Sequence, residues 1–182
     1  ALSSGSGISG IAVIRISGPE TREIITKMTS GSFPQAKQAT LKKINKIETK
    51  EVIDQGIVIW FPGPESYTGE DMAEFHVHGS IAVVEAIHAS VSKIANCRLA
   101  EPGEFTKLAF QNGKINLLKA ESISDLISAE TEMQRHQAIK IMSGRSSKKF
   151  NELRERLLKI LSSVEAKIDF PEEDLPEDII KN

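Results

Sequence analysis

Apolar and polar positions in the first hundred residues follow two different periods. Residues 11–16 and 52–61 are mostly apolar runs, and residues 73–77 alternate between polar and apolar side chains. Short runs of this kind, bounded by glycine and proline, are typical of β-strands. Residues 20–28 and 80–95 instead repeat their apolar positions every three or four residues, which predicts two amphipathic helices.

Two weaker signals complete the predicted sheet. The lysine-rich residues 41–47 predict an edge strand, because lysines discourage an exposed edge from pairing with other chains. A short strand is predicted near residues 97–99. Since the strands mix with helices without strict alternation, residues 1–112 are predicted to form an α+β domain on a mixed sheet.

The pattern becomes helical in the second part of the chain. A short helix is predicted at residues 105–109, and residues 113–182 contain few prolines or glycines, which predicts an all-helical region. One late helix carries a stripe of apolar side chains that needs partner helices: Leu153, Leu157, Leu161, Val164 and Ile168. The acidic, proline-broken residues 171–178 predict a linker.

Composition changes this picture little. The chain has 182 residues, of which 40% are hydrophobic and 26% charged, with a net charge of −2. These values are ordinary for a soluble globular protein, and they give no global electrostatic argument for binding nucleic acid or membrane. No apolar run approaches the ~20 residues of a membrane span. Cys97 is the single cysteine, so no internal disulfide forms and a reducing compartment fits.

The densest group of chemically capable side chains lies in residues 64–79. A glycine-containing turn there carries several carboxylates and leads directly into a predicted strand. Because strand side chains alternate, Glu74 and His76 fall on one face, while Phe75 and Val77 fall on the other. Acids and histidines in such close spacing indicate a ligand site.

Arg15 is a second candidate, because it lies in an apolar strand between Ile14 and Ile16. A charge in that position must be paired or must bind an anion, since uncompensated burial is costly. An internal ion pair and a carboxylate-bearing ligand both satisfy this requirement, and the sequence leaves the two open.

Other motifs lack the context that their chemistry needs. The G-x-G-x-x-G match at residues 5–10 precedes a strand instead of following one, which indicates an entry loop. Gly113-Lys114 lacks the remainder of a Walker A sequence, so we expect no GTPase site in this chain. His76 and His78 have no further ligand cluster nearby in sequence, so no metal site is predicted. Without a G-x-S-x-G elbow, no catalytic residue is assigned.

The late helices are basic, and two interpretations remain open. They form either a solvated helix surface or a surface that faces RNA. The residues concerned are Lys140, Arg145, Lys148, Lys149, Arg154, Arg156 and Lys159.

Several sequence blocks, taken in order, resemble the MnmE (TrmE) family of tRNA modification GTPases. The blocks are residues 11–19, 64–79, 102–106 with 110–114, 120–127 and 168–173. Ser-Tyr-Thr-Gly-Glu-Asp in the second block and Pro-Gly-Glu-Phe-Thr in the third are the most specific. The positions that depart from the residues usual in the family include Ser80, Glu101 and Leu108.

The resemblance implies an architecture. The family has an N-terminal α+β domain similar to folate-binding aminomethyltransferases, then a helical domain into which a Ras-like G domain is inserted. Residues 1–112 would be the tetrahydrofolate-binding and dimerisation domain. Residues 113–182 would be the first part of the helical domain, without the G domain and the C-terminal helices. We therefore expect an N-terminal fragment that lacks the GTP, Mg and K sites of the full-length protein.

The resemblance also implies a reaction and a site. Members of the family are cytoplasmic homodimers that act with the flavin-dependent partner MnmG (GidA). Together the two proteins modify C5 of the wobble uridine in tRNA. It takes the one-carbon unit from a tetrahydrofolate derivative, 5-formyl or 5,10-methylene. By position, the resemblance places the folate contacts at Arg15, Glu74 and Lys114. The alternative is a structural dimerisation scaffold with a degenerate folate pocket.

Overall fold

The computed structural model describes residues 1–5 and 7–169, without the side chain of Ser146. By its internal contacts the chain divides between Ile115 and Asn116 into two compact units. The regular elements are β1 (Ser9–Ser17), α1 (Thr21–Met28), β2 (Thr40–Asn45), β3 (Val52–Phe61), β4 (Met72–Gly79), α2 (Ile81–Val91), α3 (Glu104–Gln111), α4 (Leu117–Ile127), α5 (Glu132–Met142) and α6 (Arg145–Asp169).

The four strands form one sheet in the order β1-β4-β3-β2, with each neighbouring pair antiparallel. The predicted mixed sheet is therefore wrong for these strands, although the α+β class is confirmed. The loops from β2 to β3 and from β3 to β4 are shorter than the crossover of about a dozen residues that parallel neighbours need. The lysine-rich β2 lies at an edge, as predicted.

The core of the first unit lies on one face of this sheet. Phe75 on β4 stands directly opposite Ile14 on β1 and Val58 on β3, and all three side chains are buried. Helices α1 and α2 cover this row with Ile24 and Ile87. Burial of side chains of this size contributes about 1.5–3 kcal/mol each, so this row holds the strands in register.

Close strand packing explains one glycine of β3. A Cβ atom at Gly56 would stand 2.2 Å from the carbonyl oxygen of His76 and 3.3 Å from Cγ1 of Val77. No real Cβ approaches a backbone oxygen so closely, so a side chain here would separate β3 from β4. Strand β4 is therefore held close to β3 at a residue that has no side chain.

Two predicted elements of the first unit differ from the structure. Helix α2 ends at Val91 instead of near residue 95, and residues 97–99 form no strand. After the helix the chain turns, because the backbone N–H of Cys97 bonds the carbonyl of Ile94 and Asn96 takes a positive φ of 65°. Because this hydrogen bond closes a local turn, residues 97–99 do not extend alongside a neighbouring strand.

The described part of the second unit, residues 116–169, is helical, as predicted. Asn116 caps α4 through a bond from Lys119 N–H, and Thr131 with Gln134 forms a capping box at the start of α5. The predicted stripe on α6 is exposed: Leu153, Leu157, Leu161, Val164 and Ile168. Among the described helices, none combines the length and apolarity needed to cross a bilayer. The predicted linker at residues 171–178 lies outside the described residues.

Candidate ligand-binding site

An ion pair between two neighbouring strands forms the centre of the candidate site. Arg15 on β1 and Glu74 on β4 are direct register partners, and Arg15 Nε donates to Glu74 Oε1 at 2.8 Å. Directly opposed residues of an antiparallel pair are close enough for such contact. Of the two roles left open for Arg15, the structure shows the internal ion pair. The Arg15 side chain remains 40% exposed.

His76 contacts the second oxygen of the Glu74 carboxylate. Its Nε2 lies 3.0 Å from Glu74 Oε2, because residues two apart on a strand share a face. Partial burial alone would raise the pKa of Glu74, but the hydrogen bonds from His76 and Arg15 outweigh it and lower that pKa. Glu74 is therefore an ionised acceptor, only 16% exposed and held from two sides.

The neighbours of this network across the sheet are apolar. Ile59 lies opposite Glu74 on β3, while Ile57 on β3 and Val13 on β1 flank His76. This face of the sheet is the one opposite Phe75, so α1 and α2 do not cover it. Hydrogen bonds beside apolar groups are electrostatically stronger than in water. A flat ligand with polar edges would find apolar contact and a fixed charge on this face.

A second carboxylate–histidine pair lies farther along β4. Asp54 Oδ1 lies 2.8 Å from His78 Nδ1, and Asp54 Oδ2 accepts the backbone N–H of His78 at 2.8 Å. Burial would raise the pKa of Asp54, but the hydrogen bonds from His78 and Gln55 outweigh this and lower it. Each histidine of the strand thus has its own carboxylate. Within residues 1–5 and 7–169, no cluster of three or more such groups is placed to hold a metal ion.

Lys114 stands apart from this network. Its Nζ donates to the carbonyl of Pro64 at 2.8 Å, and its aliphatic stem passes beside Gly69. It therefore anchors the β3–β4 loop to the chain just after α3. None of the hydrogen bonds of the described residues joins it to Arg15 or Glu74. The structure brings together two of the three predicted site residues and leaves the third just after α3, where it bonds the β3–β4 loop.

The sequence did not indicate how the β3–β4 loop is bonded to β1. Ser17 Oγ lies 2.7 Å from Oγ1 of the buried Thr68 and donates to Glu70 Oε2 at 3.0 Å. Asn112 Nδ2 donates to the carbonyl of Thr68 at 2.7 Å. Strand alternation could have indicated Ser17 from the sequence, because Ser17 lies two residues from Arg15 and its side chain is on the same face of β1. These bonds join the β3–β4 loop to β1 and to the end of α3.

A cavity of about 320 Å³ lies beside β1 in the first unit. Its walls include Arg15 and Ser17 from β1, Glu70 from the loop and His88 from α2. Neither Glu74 nor Lys114 lines it. A ligand that contacts Glu74 therefore lies on the open face of the sheet and not inside this cavity.

Comparison with known proteins settles the family. The family model described as GTP-binding protein TrmE N-terminus matches residues 1–114, and the MnmE helical domain matches residues 117–182. The chain belongs to the MnmE (TrmE) family. The family resemblance seen in the sequence is thus confirmed. The two matched regions meet where the chain divides into its two compact units.

Individual relatives agree with this assignment. The chain is 73% identical over 182 residues to tRNA modification GTPase MnmE of Pelagibacter ubique, covering 100% of this chain and 41% of that protein. It is 45% identical over 181 residues to 5-taurinomethyluridine-[tRNA] synthase subunit GTPB3, mitochondrial, of Danio rerio, covering 100% of this chain and 36% of that protein. The chain therefore spans about two fifths of the length of these MnmE-family relatives.

Proposed function

We propose that this chain is the part of a tRNA modification GTPase that binds a tetrahydrofolate derivative and dimerises. The observation that carries the proposal is the Arg15–Glu74 pair, an ionised and doubly held carboxylate on an open sheet face. By this proposal the whole protein hydrolyses GTP with Mg and K ions in a domain outside this chain. It acts in the cytoplasm with the flavoprotein MnmG on C5 of the wobble uridine of tRNA.

The chemistry of Glu74 supports the folate part of the proposal. A pterin presents a ring N–H and an exocyclic amine side by side, a pair of donors that one carboxylate accepts. After bonding Arg15 and His76, each oxygen of Glu74 still has a second lone pair for such a donor. The ammonium of Lys114, which stands apart from the Arg15–Glu74 pair, suits the carboxylates of the folate tail, while Arg15 holds Glu74 in its ionised form.

The open sheet face supports the dimerisation part. Leu41, Ile57, His76 and Val13 form one row across all four strands, because each is the register partner of the next. Leu41 is 63% exposed and Ile57 is also exposed. Apolar side chains in such a row are typical of an interaction surface. A second copy laid over this face would shield the apolar row and close the ligand site from one side.

Substitution of Glu74 tests the folate site directly. We expect titration calorimetry with 5-formyltetrahydrofolate to show saturable binding to the chain and at least tenfold weaker binding to Glu74→Ala. The reason is that hydrogen bonds to a charged group contribute about 1.5–3 kcal/mol each. Glu85→Ala, which removes an exposed carboxylate from α2, is the matched control and should bind like the wild-type chain.

Three results would each contradict a part of the proposal. Equal affinity of Glu74→Ala and wild type would remove Glu74 from the site. Absence of binding by the wild-type chain, together with a dimer in light scattering across a concentration series, would favour the structural scaffold with a degenerate pocket. A monomer at every concentration would contradict dimerisation.

A further inference from the structure

The cavity of about 320 Å³ beside β1 has mostly apolar walls, which several elements of the first unit supply. Ile14 comes from β1, Ile24 from α1, Val91 from α2, and Phe105 and Leu108 from α3. The first two are almost fully buried, whereas the other three are buried only in part. Pockets for small molecules typically have such walls and volumes of about 300–1,000 Å³. The cavity is therefore large enough and apolar enough to hold a small molecule.

The wall of this cavity disfavours charge. Burial lowers the pKa of His88 and of the Ala1 amino group, and it raises the pKa of the Cys97 thiol, so all three shift toward the uncharged form. The two guanidinium groups of the wall already bond carboxylates: Arg15 that of Glu74, and Arg98 that of Glu104. An ionic ligand would lose its hydration in these surroundings. The wall therefore favours an uncharged ligand.

His88 on α2 is a polar group of the wall that lacks a partner. Its Nε2 is buried, and none of the described residues forms a hydrogen bond with it. Buried polar atoms without a partner are rare in native proteins. In the neutral ring one nitrogen carries a proton and the other a lone pair. Through Nδ1, or through Nε2 after a half-turn of the ring about Cβ–Cγ, His88 can form one hydrogen bond with a molecule in the cavity.

We propose that this cavity is a second ligand site, which binds an uncharged bicyclic aromatic molecule whose single N–H or O–H group hydrogen-bonds His88. The volume indicates two rings, because an engineered apolar cavity of about 150 Å³ holds one benzene ring. The apolar side chains of α2 and α3 would contact the rings, and His88 would orient the polar group. Neither Glu74 nor Lys114 lines the cavity, so the inference goes beyond the proposed folate site and does not depend on it.

Indole is the probe for this site, because it is uncharged, has two fused rings and carries one N–H. We expect proton–nitrogen NMR of the chain to show saturable binding of indole. Tryptamine and indole-3-acetate add a positive and a negative charge to the same rings, and each should bind at least tenfold more weakly. No binding of indole would overturn the site, and equal binding of either charged analogue would overturn the uncharged class.

Substitution of His88 tests the hydrogen bond. Benzothiophene is the matched control ligand, because it has nearly the shape of indole but no N–H. His88→Leu should bind indole about fivefold more weakly, which is the effect of losing one hydrogen bond of ordinary strength, and should bind benzothiophene like the wild-type chain. In the wild-type chain, the ring-nitrogen resonances of His88 should move with indole. Unchanged indole affinity in the variant, or unmoved resonances, would overturn the role of His88.

Filling the cavity tests where indole binds. Val91→Phe and Leu108→Phe add volume from two different helices, and each should weaken indole binding at least tenfold. Val52→Phe adds the same ring at an exposed position of β3 and should bind indole like the wild-type chain. Cys97 also lines the cavity, so indole should slow its alkylation by iodoacetamide. Indole binding that survives both fillings, or that leaves the alkylation rate unchanged, would overturn the inference.

Discussion

The two faces of the four-stranded sheet differ in chemistry although the same strands supply both. On one face Phe75 is 0% exposed and packs with Ile14 and Val58 under two helices. On the other face Glu74 and His76 form a polar network with Arg15. Alternation along β4 therefore makes one strand serve both the core and the site. The packed face fixes the backbone, and the backbone fixes the positions of the charged groups.

The largest expected effect comes from the core face. Phe75→Ala should lower the free energy of unfolding by about 3–5 kcal/mol, because it removes a fully buried ring and leaves a cavity. Urea unfolding followed by circular dichroism measures this loss. Glu85→Ala on the exposed surface of α2 is the control, with an expected change within about 0.5 kcal/mol. A loss below about 1 kcal/mol in Phe75→Ala would contradict the assignment of the stabilising core to this face.

A smaller, pH-dependent loss of stability is expected from a substitution of Glu74 on the other face of the sheet. The pKa of Glu74 is lowered in the folded chain, so its ionised form stabilises the fold above the ordinary glutamate pKa of about 4.3. That contribution is lost as the pH falls through the lowered value. Glu74→Gln should therefore unfold more easily than wild type near neutral pH, and the difference should shrink under acid conditions. Urea unfolding at several pH values between about 2 and 7 measures it.

Substitution of Arg15 tests whether the pH-dependent stability arises from the Arg15–Glu74 contact or from the loss of a charge in general. Arg15→Gln removes one of the two hydrogen-bond donors that lower the pKa of Glu74, so that pKa should rise. Carbon NMR of the glutamate carboxyl measures the change. A stability difference for Glu74→Gln that stays constant with pH would contradict the linkage.

The smallest expected effect concerns Lys114. Lys114→Ala removes an exposed bond to the carbonyl of Pro64, so the free energy of unfolding should fall by about 1 kcal/mol or less. If the ammonium also bonds the folate tail, affinity for 5-formyltetrahydrofolate should fall severalfold in calorimetry. Lys107→Ala on α3 is the matched control. Equal folate affinity in both variants would limit Lys114 to its bond with the β3–β4 loop and restrict the site to the open sheet face.

Strand and helix positions could largely be predicted from the pattern of side chains. The strong strands at residues 52–61 and 73–77 and the helix from residue 20 are present, because their apolar periods match what each element buries. The strand near residues 97–99 is absent. That segment is short, and a hydrogen bond from Cys97 to Ile94 turns the chain instead. Short segments follow their tertiary neighbours, and a sequence pattern does not contain those neighbours.

The candidate site, too, could be predicted from local sequence only in part. Alternation alone put Glu74 and His76 on one face, since strand periodicity is a local property. The contact between Arg15 and Glu74 joins residues 59 positions apart. It depends on the register between β1 and β4, which the packing of Phe75 against Ile14 selects. Lys114 was assigned from resemblance, and its bond to the β3–β4 loop depends on where the chain runs after α3.

The family, the α+β and helical regions, and the side chains that share a strand face could all be predicted from the amino-acid sequence, because these follow from local periodicity and from specific motifs. The folded structure was needed to show that the sheet is antiparallel, that Arg15 is paired internally and that His76 completes the carboxylate network. Strand order and register are set by long-range packing of the core, and a periodic pattern fits several orders equally well.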